Sequence, residues 1–446
     1  MFPRATELRL LRDLQQPKLD GGLALVAPQE GGSAMIRKCP RALLLLLVVL
    51  VPALLLVPSS SRADEDGTVR FLAAIPVPGT DTNTTGGSMY VFDISWVDSN
   101  THRYYLADRS NAVVDVVDTA RGVFVKQISG GFKGFTGDNS TSGPNGVVVA
   151  FPWLFVTDAA SRVVSIDLRT DKVVDEASTN VGDELRSDEL AYDPEDGLLL
   201  VVNNADTPPF ATLIQVNKET GQLTVGQHIA FTDATNGAEQ PVWDRHSGRF
   251  YLSIPEVNGP GDGSGPHGAV ARINPATGEV ETEFAVDFCQ PAGLALGPHQ
   301  DLLLGCSTVF DTAGQAWTAK DSKTAAPQHV IMDAQTGHIT AHVAGVGGSD
   351  EVAFNRGDGR YYTASRFNPA GPVLGVIDAE RESLRQLVPA LNVAAVQGVH
   401  PSGSTHSVAV DPSNNRVFVP LPANNIFPNC LTGCVVVYGT SGDHQR

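Results

Sequence analysis

Short apolar runs alternate with polar, glycine-rich turns along most of the chain, and two phrases recur. In one, a run of Val, Ile, Leu or Ala ends in Asp or Asn and a polar turn follows. The copies are VVDVVDTARG from Val113, VVSIDLRTDK from Val163, LIQVNKETGQ from Leu213, VARINPATGE from Val270, HVIMDAQTGH from His329, LGVIDAERES from Leu374 and a degenerate VVVYGTSGDH from Val435. Upstream lies a second phrase, strand–tight turn–strand, as in ELAYDPEDGLLLVV from Glu189, PVWDRHSGRFYLS from Pro241, EVAFNRGDGRYYTA from Glu351 and SVAVDPSNNRVFVP from Ser407. Apolar alternation bounded by Asp-Pro, Asp-Gly, Asn-Asn and Ser-Gly reads as β-hairpins. Together the two phrases predict four antiparallel strands per unit. The hairpin anchors Asp98, Ala150, Asp193, Asp244, Gly297, Asn355 and Asp411 fall 43 to 58 residues apart, which makes seven units.

One small sheet cannot bury both faces alone, so repeats of this size predict a radial all-β architecture, a seven-bladed β-propeller. The last unit stops after its third strand, Val435–Tyr438, and a spare strand from Val69 to Pro76 is available to complete it. Closing the ring in this way removes exposed sheet edges. Four units depart from the pattern. The second has a shortened hairpin, VVVAFPWLFVTD, and the fourth, fifth and seventh carry insertions at Pro255–Gly268, Thr308–Pro327 and Asn424–Cys434. Loops on a rigid scaffold carry specificity, so these are expected on one rim. The glycine-rich Asp262-Gly-Ser-Gly stretch lacks the Lys and following helix of a phosphate loop and reads as a flexible surface loop.

The first 63 residues read as a leader. Arg37, Lys38 and Arg41 precede the apolar run Ala42–Val57, and Ser61-x-Ala63 offers a cleavage site before Asp64. The run is too short for a spanning helix, which needs roughly 20 residues, though retention as an anchor is the alternative. Met35 stands where a signal peptide would begin. The expected mature chain, 64–446, is a single propeller domain, secreted or periplasmic, and a monomer. Losing the leader removes 8 basic and 4 acidic residues, moving the net charge from −18 to −22. Such a surface excludes nucleic acid and anionic lipid as partners, which need cationic patches.

Of 5 Cys, Cys39 falls in the leader, which leaves an even number in an oxidising compartment. Cys289 precedes a strand at Ala292–Leu296 and Cys306 ends the next, at Leu302–Gly305, so a hairpin brings them to one end. Cys430 and Cys434 would close a tight loop. Two disulfides are expected, with metal ligation by the Cys-x3-Cys pair as the alternative.

GRFYLS, GRYYTA, NRVFVP and the VVDVVDTARG and VVSIDLRT phrases resemble the YVTN/YncE-like seven-bladed propellers of exported bacterial proteins. The resemblance spans roughly Val69 to Gly439. It implies an exported binding or scaffold propeller for a protein or small polar ligand, without inherited catalytic residues.

Inner strands line the channel of a propeller, so the residues at their entrances converge. Five positions before each anchor stand Asp93, Asn145, Asp188, Glu239, Ala292, Asp350 and His406, followed one residue on by Ile94, Gly146, Glu189, Gln240, Gly293, Glu351 and Ser407. Carboxylates and a carboxamide oxygen are the hard ligands that Ca²⁺ or another divalent cation selects, and such a ring repels itself unless water or a cation relieves it. A solvated channel is the plainer alternative. His406 suits a ligand or general base, or simply caps its strand. Asn145, Asp188, Glu239 and Asp350 are similar in kind to the Glu, two Asn and Asp that hold a divalent ion in gluconolactonase-like propellers. That similarity implies, as the alternative function, a metal-dependent lactonase with Asp350 or His406 as base. A redox role ranks below both, since no haem or quinone-forming residues stand out. Gly-x-Ser-x-Gly, His-Glu-x-x-His and Walker motifs are absent. Asn83-Thr-Thr and Asn139-Ser-Thr would be glycan acceptors only in a eukaryotic secretory pathway.

Overall fold

The computed structural model describes residues 67–182, 184–317 and 328–440. The expected leader at 1–63 lies outside the described residues, as does 318–327 of the blade 5 insertion. Seven four-stranded antiparallel sheets follow one another around a ring. Blade 1, for example, runs Ser95–Asp98, Arg103–Asp108, Val113–Asp118 and Val123–Ile128, from inner to outer strand. The only helical turns among the described residues are two of 3₁₀ type, three residues each. Blade 7 takes its inner three strands from Ala409–Asp411, Arg416–Leu421 and Cys434–Gly439, and its outer strand from Arg70–Pro76. That closing strand pairs Ile75 with Val435 and Pro76 with Cys434.

The recurrent Asp or Asn is a turn-forming device. After the third strand, Asp118, Asp167, Asn217, Asn274, Asp333 and Asp378 each accept a backbone N–H two or three residues on. After the inner strand, Asp98, Asp193, Asp244, Asn355 and Asp411 do the same. A short carboxylate or carboxamide that caps its own turn is why these residue types recur. Four residues after the third-strand Asp/Asn the backbone turns left-handed. Gly122, Gly221, Gly278 and Gly337 fill that position with φ of +65°, +74°, +66° and +73°, while Asp171 and Glu382 hold it at 56° and 49°. This is the origin of the Thr-Gly signature, because glycine alone has no Cβ penalty there.

The core is distributed in seven apolar clusters, each filled from two neighbouring blades. Between blades 1 and 2, Tyr105, Val114 and Val116 pack against Leu154, Val156 and Ile166; between blades 6 and 7, Tyr362, Leu374 and Val376 pack against Val417, Val419 and Val436. Each blade thus buries the face its neighbour exposes.

Both disulfides form, Cys289–Cys306 and Cys430–Cys434. The blade 5 hairpin is longer than its apolar pattern indicated, Cys289–Leu296 against Asp301–Val309, so the first bridge lies within paired strands rather than before them. The Asp262-Gly-Ser-Gly stretch, expected as a flexible surface loop, belongs to an insertion, Pro255–Gly268, that is folded around buried Glu256. Its carboxylate accepts from Thr235 Oγ1 at 2.7 Å, Gly261 N at 2.6 Å and Gly265 N at 2.9 Å. Glycines there let backbone amides reach one carboxylate, and the composition alone reads as flexibility.

Candidate functional site

The inner strands end, at their start, in residues that crowd the channel mouth. Close approach is built into the backbone: a Cβ on Gly293 would lie 2.1 Å from the Asp350 carbonyl oxygen, and one on Gly146 would lie 2.5 Å from that of Asp188. A cavity of about 790 Å³ opens at this end, lined by seven carboxyl groups and three guanidinium groups. Asp93, Asp188, Glu239, Asp350 and His406 all line it, together with Glu189 and Glu351. Asn145 does not. It is fully buried behind the wall, accepting from Arg109 Nε at 2.8 Å and donating to Ser187 O at 2.6 Å. Ala292, from blade 5, is buried and contributes no polar group.

Two arginines, Arg109 buried and Arg186 half-buried, dominate one side. Arg109 Nη2 makes a short ion pair with Asp93, and Arg186 Nη2 pairs with Asp188 Oδ2 at 2.7 Å while Nη1 lies 3.7 Å from Asp93. Burial alone would raise the Asp93 pKa, but Arg109, a hydrogen bond from His406 and Arg186 hold it well below the usual carboxylate range. Asp188 goes the other way. Burial, opposed by Arg186 but reinforced by the Asp93 charge, lifts it to about 7. Its Oδ1 is without a hydrogen-bond partner although the residue is only 3% exposed. Across the mouth Asp350 pairs with Arg366 at 2.9 Å.

Among the described residues, no salt bridge reaches Glu239, Glu189 or Glu351. Burial, then Asp188 and Asp350, push Glu239 up to about 8, against Arg186 and a long hydrogen bond of 3.5 Å from Asn204 Nδ2. Glu189 and Glu351, from blades 3 and 6, hydrogen-bond to each other, and burial followed by neighbouring carboxylates raises both well above the ordinary value. Such a pair retains a proton, because two carboxylates in contact cannot both ionise cheaply. Gln240 steadies it, donating to Glu351 Oε2 at 2.8 Å while accepting from Leu294 N at 2.6 Å.

His406 is fixed rather than poised. Its ring stacks on Phe92 at 5.1 Å, with Nδ1 2.8 Å from Ser404 O and Nε2 3.3 Å from Asp93 Oδ1.

The divalent-ion set does not fit as drawn from sequence. The Asn145 oxygen is engaged by Arg109, and Asp188 and Asp350 already face guanidinium groups. Among the described residues, no group of three or more His, Cys, Asp or Glu is arranged to hold a metal ion.

Sequence reasoning missed the arginines and the loop between blades 6 and 7. Arg109 and Arg366 directly follow second strands, at Arg103–Asp108 and Arg360–Ser365. Second strands run antiparallel to inner ones, so their ends reach the same rim as the inner-strand entrances, a signal available from the hairpin pattern. Asn392 to Ser404, part of which walls the mouth, carries no periodic pattern and offered none.

No family model matches the chain, and no curated protein is similar to it. Among solved structures 1563 chains match, so the likeness identifies a widely used architecture. One is Kuenenia stuttgartiensis hydrazine synthase, with TM-score 0.60 and 14% identity over 82% of this chain and 99% of that one. At that identity the fold is shared and nothing further follows.

Proposed function

We propose that this chain is a binding propeller whose ligand is a small polar molecule carrying positive charge, held at the channel mouth. The observation that carries the reading is the carboxyl excess around an open cavity. Among the described residues no salt bridge reaches Glu239, Glu189 or Glu351, and Asp188 Oδ1 has no hydrogen bond, only an ion-pair contact with Arg109 Nη2 at 3.8 Å. A bound cation would ionise these groups and take up their charge. Binding would therefore release protons near neutral pH, and affinity would rise as pH climbs through 7 to 8. Export is part of the proposal, supported by the two disulfides. Among the described residues no helix is long and apolar enough to cross a membrane. Kinship with YVTN/YncE-like propellers rests on the repeated phrases and is offered at that level.

The test is calorimetric titration of the purified protein with ethylammonium, Ca²⁺ and sorbitol at pH 6, 7 and 8.5, in buffers of different ionisation enthalpy. Ethylammonium should bind with proton release and tighten with pH, and sorbitol should do neither. A tightly held, stoichiometric Ca²⁺ with no ammonium response would replace this reading with the metal-dependent one.

A further inference from the structure

Beside the mouth lies a second depression of about 420 Å³, walled by Leu391, Val393, Ala423, Ile426 and Leu431 with Tyr90 at its back. Its lining contains three asparagines but no charged side chain. The two cavities adjoin: Tyr90, Asn392 and Val393 line both. The wall between a charged site and an apolar one is therefore a single shared surface, with the Tyr90 ring fixed by stacking on His400 at 4.1 Å.

The apolar side is presented by a loop that is tied down. Asn424 accepts from Ile426 N and Phe427 N at 3.0 and 2.8 Å, its own N–H donates to Cys430 O at 2.8 Å, and Cys430 is bonded to Cys434. Phe427 packs inward against the blade 6–7 core. Ile426 and Leu431 nonetheless stand 70% and 74% exposed, although the loop is anchored on both sides of them. Large apolar side chains held out in water beside a polar pocket mark a binding surface.

We infer that the ligand is an amphiphilic amine, its ammonium head among the mouth carboxylates and its alkyl or aryl arm along the Leu391–Leu431 groove. This rests on the cationic reading of the mouth and adds the substrate class. Charge complementarity places the head, since the groove has no charged side chain to receive it. The shared lining at Tyr90 and Val393, which sets the groove directly against the mouth, places the arm. No bond is made or broken; the step is association with loss of protons from the mouth.

The experiment is calorimetric titration of the whole protein at pH 8.5 with ethylammonium, n-hexylammonium and 1-hexanol. Each methylene that enters the groove is worth about fourfold in affinity, from about 0.8 kcal/mol per buried CH₂. Hexylammonium, with four more methylenes, should therefore bind at least about tenfold tighter than ethylammonium even if the open groove covers only half of them. 1-Hexanol should bind more weakly than hexylammonium by at least about tenfold, the step that one retained ion pair of about 1.4 kcal/mol supplies. In the Ile426→Ser, Leu431→Ser double variant, which alters two exposed side chains, the hexyl-to-ethyl ratio should collapse toward one. A wild-type ratio near one, or a ratio unchanged in the double variant, overturns the groove while leaving the cationic mouth standing. Hexanol binding as tightly as hexylammonium overturns the placement of the head. Failure of both ammonium ions to bind overturns the reading of the mouth itself, and this inference with it.

Discussion

Replacing Glu239 with glutamine should make the protein more stable, by an amount that grows with pH. Glu239 titrates at about 8 in the folded chain, against an ordinary 4.5, chiefly through burial and then through Asp188 and Asp350. A carboxyl with a raised folded-state pKa contributes stability that is complete below its unfolded value and lost as pH rises through the folded one. The window for loss therefore runs from about 4.5 to about 8. At about 1.4 kcal/mol per pKa unit the full loss is about 5 kcal/mol, and solvent reaching the partly exposed carboxyl reduces the working expectation to about 2–5 kcal/mol. That is a large share of the roughly 5–15 kcal/mol that holds a typical domain together. Glutamine keeps the shape and can still accept from Asn204, but it never ionises. Urea unfolding followed by tryptophan fluorescence at pH 5, 7 and 9 measures the effect. Wild type and Glu239→Gln should have similar midpoints at pH 5 and separate progressively, the variant being more stable by about 2–5 kcal/mol at pH 9. Parallel curves across that range would refute the claim that Glu239 is held protonated by its surroundings.

Arg109→Met should destabilise the fold by about 3–5 kcal/mol in urea, because Asp93 and Asn145 lose the buried donor that satisfies both. The αL turn position gives a graded comparison. A Cβ at Gly122 meets nothing within 4 Å, whereas one at Gly337 would lie 2.1 Å from the Phe284 ring. Gly122→Ala should cost about 1–2 kcal/mol from backbone strain alone, and Gly337→Ala clearly more, read as a larger drop in denaturation midpoint. The disulfides should differ by loop length. Removing Cys289–Cys306, with sequence separation 17, should cost about 3 kcal/mol, and removing Cys430–Cys434, with separation 4, about 2 kcal/mol, measured on the paired Cys→Ser variants.

The ring was legible because its turns are written in side-chain chemistry. An Asp or Asn that caps its own turn, with a left-handed residue four positions on, marks every third strand except the last described one. Even Asp171 and Glu382 keep the spacing where glycine is missing. The channel mouth was legible only in part, because a fixed offset from the hairpin anchor finds entrance residues but says nothing of side-chain direction. It located Asp93, Asp188, Glu239, Asp350 and His406 around one cavity, yet Asn145, on the same offset, turns into the wall toward Arg109. Arg109 and Arg366 escaped because only one end of each hairpin was read, and Arg186 because it stands two residues before the offset that picks out Asp188. Asn392–Ser404 and the Glu256-centred loop were opaque for a different reason: the first is ordered by isolated backbone bridges such as Val393 to Gly403, the second by hydrogen bonds to one side chain, and neither leaves a periodic trace.

Stability and binding make opposite demands on the mouth, and that opposition is itself diagnostic. A fold selected only for stability gains nothing from burying Glu239, Glu189 and Glu351 beside one another, since burial and mutual repulsion raise all three pKa values and each ionisation weakens the ring. Arg109, Arg186 and Arg366 show that this scaffold accommodates guanidinium partners at the same rim, so unpaired acids are not imposed by its geometry. If the acids serve a cation, Glu239→Gln should gain stability at pH 9 and lose ethylammonium affinity at the same pH. At pH 6, where Glu239 is protonated in the folded chain but would be ionised in the unfolded one, it should gain less than half of its pH 9 stabilisation and leave ethylammonium affinity nearly unchanged. A variant stabilised at pH 9 with undiminished ethylammonium binding would separate the two effects and remove Glu239 from the ligand's surroundings.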